Sequence, residues 1–199
     1  MSARPTAARA ASDPRGFDVV LKIRKYGDAV LRKKSGEVSA VTPELRRLAA
    51  DMIDTMRKAG GVGLAAQQVG RLERVCVIDV PEGCDEGADA AFNAPVRMPL
   101  VMFNPLIIAK EGAVKGGEGC LSFPKIGGSV VRAEQVAVSY LNLDNMPQAV
   151  TVRGFLARAV QHEVDHLDGI LYIDRMTADE RLSHSKPLER LAKANGAAR

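Results

Sequence analysis

The spacing of apolar residues predicts one amphipathic helix early in the chain. Thr42 offers a side-chain oxygen as an N-cap, and Pro43 stands at the first helical position, where its missing N–H removes no helical hydrogen bond. Apolar residues then recur at intervals of three and four as far as Met56, and glycine follows at Gly60. We therefore expect a helix between Thr42 and Gly60.

Short apolar and alternating runs predict that strands occupy the middle of the chain. They cover Glu73 to Val80, Leu100 to Phe103, Leu106 to Ala109, and one or two strands within Val130 to Leu143. The stretch from Pro81 to Pro99 combines Gly, Pro, Asp and Glu with little periodicity, which predicts a long surface loop. A short apolar run at Ile170 to Ile173 predicts one more strand.

A second helical pattern runs from Phe155 to Leu167 and ends before Gly169. Downstream, Thr177 begins a capping-box pattern that opens a C-terminal helix, which we expect to be disturbed near Pro187. The strands cluster in the middle while the helices lie early and late, without internal repeats. This order predicts an α+β domain and not alternating βαβ units.

Composition narrows the class of protein. The 199 residues suffice for one domain with a core, and 46% hydrophobic with 26% charged residues is ordinary for a globular protein. No apolar run approaches the roughly 20 residues that cross a bilayer. The net charge of +4 is scattered, which gives nucleic-acid binding little support. Three cysteines without framework spacing indicate a reducing compartment.

The strongest chemical pattern is QHEVDH at residues 161–166, on the second predicted helix. Residues four apart on a helix lie about 40° from each other around the axis, so His162 and His166 project from one face and can bind one metal ion. Glu163 stands where it can act as general base on a metal-bound water. Two of the three histidines of the chain lie here, so a chance pair is the weaker explanation.

A catalytic metal site usually has three protein ligands and one open position, so a third ligand must come from elsewhere. Downstream, Tyr172 stands where one group of zinc peptidases has a third histidine, and Glu180 is explained by its capping position. Upstream, Cys120 lies in a glycine-rich segment, although a lone cysteine is more often a small buried apolar residue. Cys76, in an apolar strand, and Cys84, in an acidic loop, are weaker candidates.

Three segments together resemble the three signature motifs of the peptide deformylase family. They are GVGLAAQQ at 61–68, EGCLS at 118–122 and QHEVDH at 161–166. Their order and approximate spacing are those of the family, and the likeness runs from about Val20 to Met176. The resemblance implies a compact α+β fold in which antiparallel strands pack around a central metal-binding helix, with a C-terminal helix after it.

The resemblance also implies an activity. The family removes the formyl group from the formylmethionine at the N-terminus of newly made polypeptides and releases formate. By resemblance, Cys120, His162 and His166 are the metal ligands. The implied ion is Fe²⁺, one per chain, with Zn²⁺, Ni²⁺ or Co²⁺ able to replace it, whereas the ligand types alone favour zinc.

The remaining site residues follow from the same resemblance. Glu163 is the implied catalytic acid–base. The side-chain amide of Gln68 and the backbone N–H of Leu121 are the implied hydrogen-bond donors to the oxyanion. Gly61 and Gly63 let the loop backbone approach the substrate.

The ends of the chain are assigned separately. Residues 1–16, rich in Ala and Arg, fit a disordered bacterial tail better than a short organellar targeting segment. Residues 17–176 form the expected catalytic domain, and 177–199 a basic C-terminal helix. That helix is either a solvated face or a contact with the ribosome. The implied partners are nascent formylmethionyl polypeptides, with no membrane, in a bacterial cytoplasm or alternatively an organelle.

Two other functions and one departure remain open at this point. A zinc peptidase would need a ligand downstream, and a non-catalytic module of this fold should have lost Glu163 or Gln68. Many members of the family carry an arginine shortly after the second motif. Here that stretch contains Lys125 and no arginine before Arg132, so the group that anchors the peptide is not assigned.

Overall fold

The computed structural model describes residues 20–196, and the expected tail at 1–16 lies outside them. The strands are β1 (Gly63–Ala65), β2 (Val75–Ile78), β3 (Leu100–Glu111), β4 (Val114–Gly119), β5 (Gly127–Arg132), β6 (Gln135–Leu141) and β7 (Pro147–Arg153). The helices are α1 (Pro43–Lys58), α2 (Gly87–Asn93), α3 (Gly154–Leu167), α4 (Ala178–Ser183) and α5 (Ser185–Asn195). Short 3-10 turns lie at Ala29–Arg32, Ala66–Val69 and Tyr172–Asp174.

The main sheet has five antiparallel strands in the order β1-β2-β3-β6-β7, and β4 and β5 form a separate antiparallel hairpin. The mixture of helices with antiparallel strands confirms the predicted α+β class. None of the helices within residues 20–196 is both long and apolar enough to cross a membrane.

The sheet lies between α1 and α3 because both of its faces are apolar. Val75 and Val77 of β2 pack in the cluster that includes α1, whereas Cys76 and Ile78 pack in the cluster that includes α3. Successive side chains of a strand point to opposite faces, so this short strand serves two cores at once. Cys76 is fully buried, as expected for a small apolar residue.

Helix α1 has the predicted ends. The Thr42 hydroxyl accepts a hydrogen bond from the Leu45 N–H at 3.4 Å, and Pro43 occupies the first turn. Gly60 follows the helix with a φ of 70°, a left-handed conformation that favours glycine.

Helix α3 is buried from Leu156 to Leu167 and packs against more than the sheet. Arg158 donates hydrogen bonds to the carbonyls of Val130 at 2.9 Å and Val114 at 3.0 Å, both in the β4–β5 hairpin. Because the Arg158 guanidinium finds partners in the hairpin, α3 can bury this charge between the hairpin and the sheet.

The middle of the chain departs from the sequence prediction in three places. The loop predicted at Pro81 to Pro99 contains α2, which ends at Asn93, whose side chain bonds Asp85 at 2.8 Å and the Arg153 carbonyl at 3.0 Å. The two strands predicted around residues 104–105 are one strand, β3, with an irregular register there. Strand β7 was not predicted, and neither were the short strand β1 and the glycine-rich strand β4.

The end of the chain departs from the prediction as well. The apolar run Ile170 to Ile173 leads into a 3-10 turn and is not a strand. The single C-terminal helix is two helices, α4 and α5, separated at His184. The break falls near Pro187, as expected, and the proline itself sits in the first turn of α5, where a missing N–H is tolerated.

Candidate active site

Three side chains from two separate segments form a cluster able to hold a metal ion. Helix α3 carries His162 and His166, and Cys120 directly follows β4. One ligand atom from each lies within 4.8 Å of the others, and Cys120 Sγ lies 3.2 Å from His166 Nε2. A thiolate with two imidazoles is a donor set that divalent iron, zinc, nickel and cobalt accept. The residues therefore fit the metal that the three motifs imply.

Neither downstream candidate joins this cluster. The Tyr172 hydroxyl donates to the Ile126 carbonyl at 2.9 Å. The Glu180 carboxylate accepts the Ser129 N–H, while its own N–H bonds the Thr177 hydroxyl at 3.3 Å. Among residues 20–196, Cys120 is thus the third ligand candidate that geometry supports.

His162 is oriented by a buried carboxylate that was assigned no role from the sequence. Its Nδ1 lies 2.9 Å from Glu118 Oε2, which leaves Nε2 free to face the cluster. Arg132 donates to Glu118 at 2.8 and 3.0 Å, and Arg158 at 3.0 Å. Although burial raises the pKa of Glu118, the hydrogen bonds from His162 and Arg132 hold it well below its usual value. Glu118 therefore stays ionised.

The ionic network continues from Arg132 to the second acid of the third motif. Arg132 also pairs with Asp165, whose carboxylate accepts from Arg175 at 2.7 and 3.1 Å. Glu118 and Asp165 are the acids of the second and third motifs that do not face the cluster directly. Both acids stand next to predicted ligands in the sequence, which could have indicated a role in the site. The arginines that they bind are distant in sequence and could not be inferred.

Glu163 lies against the glycine loop. A Cβ atom on Gly63 would overlap the carboxylate oxygen Oε1 of Glu163, so a larger residue there would displace this carboxylate. The other oxygen, Oε2, is buried and has no hydrogen-bond partner in the structure. Burial raises the pKa of Glu163 to about 7, which suits a group that takes up and returns a proton near neutral pH.

Gln68 points its amide at the same centre. Its Oε1 accepts the Ala65 N–H at 2.8 Å, which fixes the rotation of the amide. Its Nε2 then lies 3.4 Å from Cys120 Sγ and 3.3 Å from Ser122 Oγ. The 3-10 turn after β1 thus delivers a donor to the cluster.

These groups open into one cleft of about 570 Å³. The predicted site residues that line it are Gly61, Gly63, Gln68, Cys120, Leu121, His162 and Glu163. His166 does not line the cleft, because it is buried behind Cys120 with 1% exposure. The structure therefore brings every predicted site residue to one place.

Comparison with known proteins decides the family. The family model described as polypeptide deformylase matches residues 20–182. The chain belongs to the peptide deformylase family. This family of enzymes removes the N-formyl group from nascent polypeptides, and the predicted family and enzyme class are confirmed.

Individual deformylases are similar over nearly their whole length. That of Endomicrobium trichonymphae is 44% identical over 174 residues, which are 87% of this chain and 96% of the relative. The solved deformylase of Thermus thermophilus is 38% identical with a TM-score of 0.76, covering 88% of this chain and 99% of that one. The Ehrlichia chaffeensis deformylase in complex with actinonin is 34% identical, with a TM-score of 0.77 and coverage of 88% and 97%.

Proposed function

We propose that this deformylase hydrolyses the formamide of nascent formylmethionyl polypeptides at the cluster of Cys120, His162 and His166. One observation carries the proposal: motifs that are far apart in sequence bring a thiol and two imidazoles into one cluster, beside a buried carboxylate oxygen that has no hydrogen-bond partner. Helix α3 is then the metal-binding helix around which the sheet and the β4–β5 hairpin pack.

Contacts within the protein position the two histidines. Glu118 fixes His162 through Nδ1, and the helix sets the second imidazole four residues further on. When bound, a divalent metal supplies Lewis acidity, which activates water as a nucleophile at neutral pH.

Glu163 moves the proton. We assign it no place among the ligands, because the cluster able to hold a metal consists of Cys120, His162 and His166, and Glu163 lies beside it against Gly63. It takes a proton from the attacking water and returns it to the amine that leaves when the C–N bond of the formamide breaks. A pKa near 7 suits both halves of this task.

Gln68 and Leu121 donate hydrogen bonds to the oxygen atom on which negative charge develops. The Gln68 amide is turned toward the cluster by the Ala65 N–H, and Leu121 places its backbone N–H directly after Cys120. Two preorganised donors favour the tetrahedral state over the planar formamide, and removing one such donor typically lowers the rate by a factor of about 10² to 10³.

Fe²⁺ is the native ion in this proposal, with Zn²⁺, Ni²⁺ or Co²⁺ able to replace it. The thiolate of Cys120, which lines the cleft, places a soft ligand beside an oxidisable metal with an open position. Activity of protein purified without oxygen should then decay in air, and the nickel form should persist. Equal air stability of the two forms would contradict iron as the ion.

We further propose a contact with the ribosome through α4 and α5, in a bacterial cytoplasm or alternatively an organelle. Four exposed basic residues lie on these helices: Arg181, Lys186, Arg190 and Lys193. Between residues 181 and 196, Glu189 is the one acid, whereas Asp179 and Glu180 lie in the first turn of α4. Formylated chains emerge from a particle rich in phosphate, to which such a surface binds with strong salt dependence.

Formate release from a formyl-Met peptide tests the proposed chemistry. Release should stop with a chelator and return when metal is added back. A peptidase would instead cleave the peptide bond of the same substrate. A non-catalytic module would leave it unchanged, and either result would overturn the proposal.

A further inference from the structure

The cleft carries two positive charges that no carboxylate balances. Its ionisable lining residues are Lys25, Glu118, Cys120, Lys125, Arg158, His162 and Glu163. Glu118 and Arg158 pair with each other, and His162 is bonded to Glu118. Within residues 20–196, neither Lys25 nor Lys125 has a carboxylate partner. The two lysines are therefore available to an anionic group that enters the cleft.

Lys25 is fixed beside the reacting centre. Its backbone neighbours are tied to two motifs: the Arg24 N–H donates to the Gln68 carbonyl at 2.7 Å, and the Tyr26 N–H to the Ser122 carbonyl at 2.9 Å. Its half-buried side chain donates from Nζ to the Leu121 carbonyl at 2.6 Å. A carbonyl dipole orients the ammonium group but leaves its full charge, which acts more strongly in a cleft than in open water.

Lys125 is held at the exposed side of the same cleft by a tight turn. The Ile126 N–H bonds the Phe123 carbonyl at 3.1 Å, with Pro124 and Lys125 in the central positions. Lys125 has a φ of 63°, in a position of the turn where glycine is favoured. A side chain at this strained position is displayed to the cleft.

We propose that the deformylase prefers formylated chains with an aspartate or glutamate at the second or third residue, whose carboxylate binds Lys25 and Lys125. This preference rests on the proposed function and adds a substrate class to it. An extended peptide advances about 3.4 Å per residue. Lys25 Nζ bonds the carbonyl of Leu121, the residue after Cys120, and Lys125 lines the same cleft. With the formyl group at the cluster, the second and third side chains of an extended peptide are therefore expected to come within reach of the lysines.

Matched peptides measure the preference. The value of kcat/KM for formate release is compared between formyl-Met-Asp-Ala-amide and formyl-Met-Asn-Ala-amide, and between the pair with Asp or Asn at the third residue. We expect the aspartate peptide of at least one pair to be favoured about twofold to fivefold at low salt, as for partly exposed ion pairs. The ratio should fall toward one as salt rises.

The peptides end in an amide because a free C-terminal carboxylate could bind the same two lysines as an aspartate side chain. If formyl-Met-Ala-Ala is favoured as the free acid while Asp and Asn amides react equally, the lysines bind the chain end and the proposed preference is wrong. Equal rates in all pairs also overturn it. If no peptide releases formate, the proposed function itself fails, so the two failures are distinguishable.

Variants assign the preference to the two lysines. Lys125→Glu should abolish or reverse the Asp-to-Asn ratio, and Lys25→Met should reduce it. Because each value is a ratio within one variant, a general loss of activity does not change the readout. Lys110→Gln, on the exposed end of β3 and outside the cleft, should keep the wild-type ratio. A ratio that survives both lysine substitutions together would contradict the assignment.

Discussion

At the scale of single residues, the site depends on Gly63 having no Cβ atom. Glu163 occupies the space where a Cβ atom would be, so the glycine of the first motif and the acid of the third are one packing unit. The sequence predicted both residues but assigned the glycine a different role, that of admitting the substrate backbone. Contact between residues so far apart could not be inferred from a local pattern.

Gly63→Ala should displace the Glu163 carboxylate and lower kcat about 10²-fold or more, since general acid–base groups typically contribute about 10² to 10⁴. The metal ligands do not touch this position, so metal content should stay at the wild-type level. Formate release and metal analysis on the same sample measure both. Gly36→Ala, where an added Cβ meets only the Leu72 carbonyl at 4.0 Å, is the control and should be fully active.

Glu163→Gln should keep the metal and lose nearly all turnover. The amide has almost the same shape as the carboxylate but cannot carry the proton, so a loss of about 10² to 10⁴ in kcat is expected. Metal analysis of the purified variant decides between roles. If the ion disappears together with the activity, Glu163 is a ligand and the assigned proton transfer is wrong.

At the scale of secondary-structure elements, periodic patterns were reliable and short or exposed segments were not. Helix α1 buries one face and has a clear cap, so its bounds were predictable. Strand β7 at the sheet edge is mostly exposed and alternates weakly, and α2 is held by Asn93 contacts with Asp85 and Arg153. The run at Ile170 to Ile173 is short and apolar, and such a run does not distinguish a strand from a turn of helix.

The link between α3 and the β4–β5 hairpin passes through Glu118. Glu118→Gln should weaken the hold on His162 and lower metal affinity about 10- to 100-fold, as is typical when a partner of a metal-binding histidine is lost. Competition with a chelator measures the affinity. Glu37→Gln makes the same change at an exposed position and should leave affinity unchanged. A wild-type affinity in Glu118→Gln would show that the carboxylate does not orient the ligand.

At the scale of the whole molecule, the C-terminal helices are part of the folded body. Leu188 of α5 is 6% exposed and packs in a cluster with Phe123 and Tyr172. Deleting the end of the chain would open this core. Charge changes on the outer surface therefore test ribosome binding more cleanly than truncation does.

The triple substitution Lys186→Gln, Arg190→Gln and Lys193→Gln should reduce cosedimentation with ribosomes at low salt, because fewer phosphate charges are neutralised. Hydrolysis of a short formyl-Met peptide should not change, since these residues lie outside the cleft. The matched control replaces the exposed residues Arg97, Lys110 and Lys115 with glutamine. If both triple variants pellet like the wild type, the basic surface of α4 and α5 is only solvated.

The ligands come from two separate segments of the fold, so the bound metal should also stabilise the folded protein. Cys120 belongs to the end of the hairpin and both histidines to α3, so a bound ion cross-links the two. Binding to the folded state alone stabilises it by about 4 kcal/mol when free metal is a thousand times the dissociation constant.

Removing the metal should consequently loosen the hairpin before the body of the protein. In hydrogen exchange, amides of β4 and β5 should lose protection on chelation, while those of α1, which packs in the cluster on the other face of the sheet from α3, should change little. A uniform change across β4, β5 and α1 would mean that the metal does not link the hairpin to α3. If only the hairpin responds, the exchange rate of its amides measures the fraction of the enzyme that contains metal.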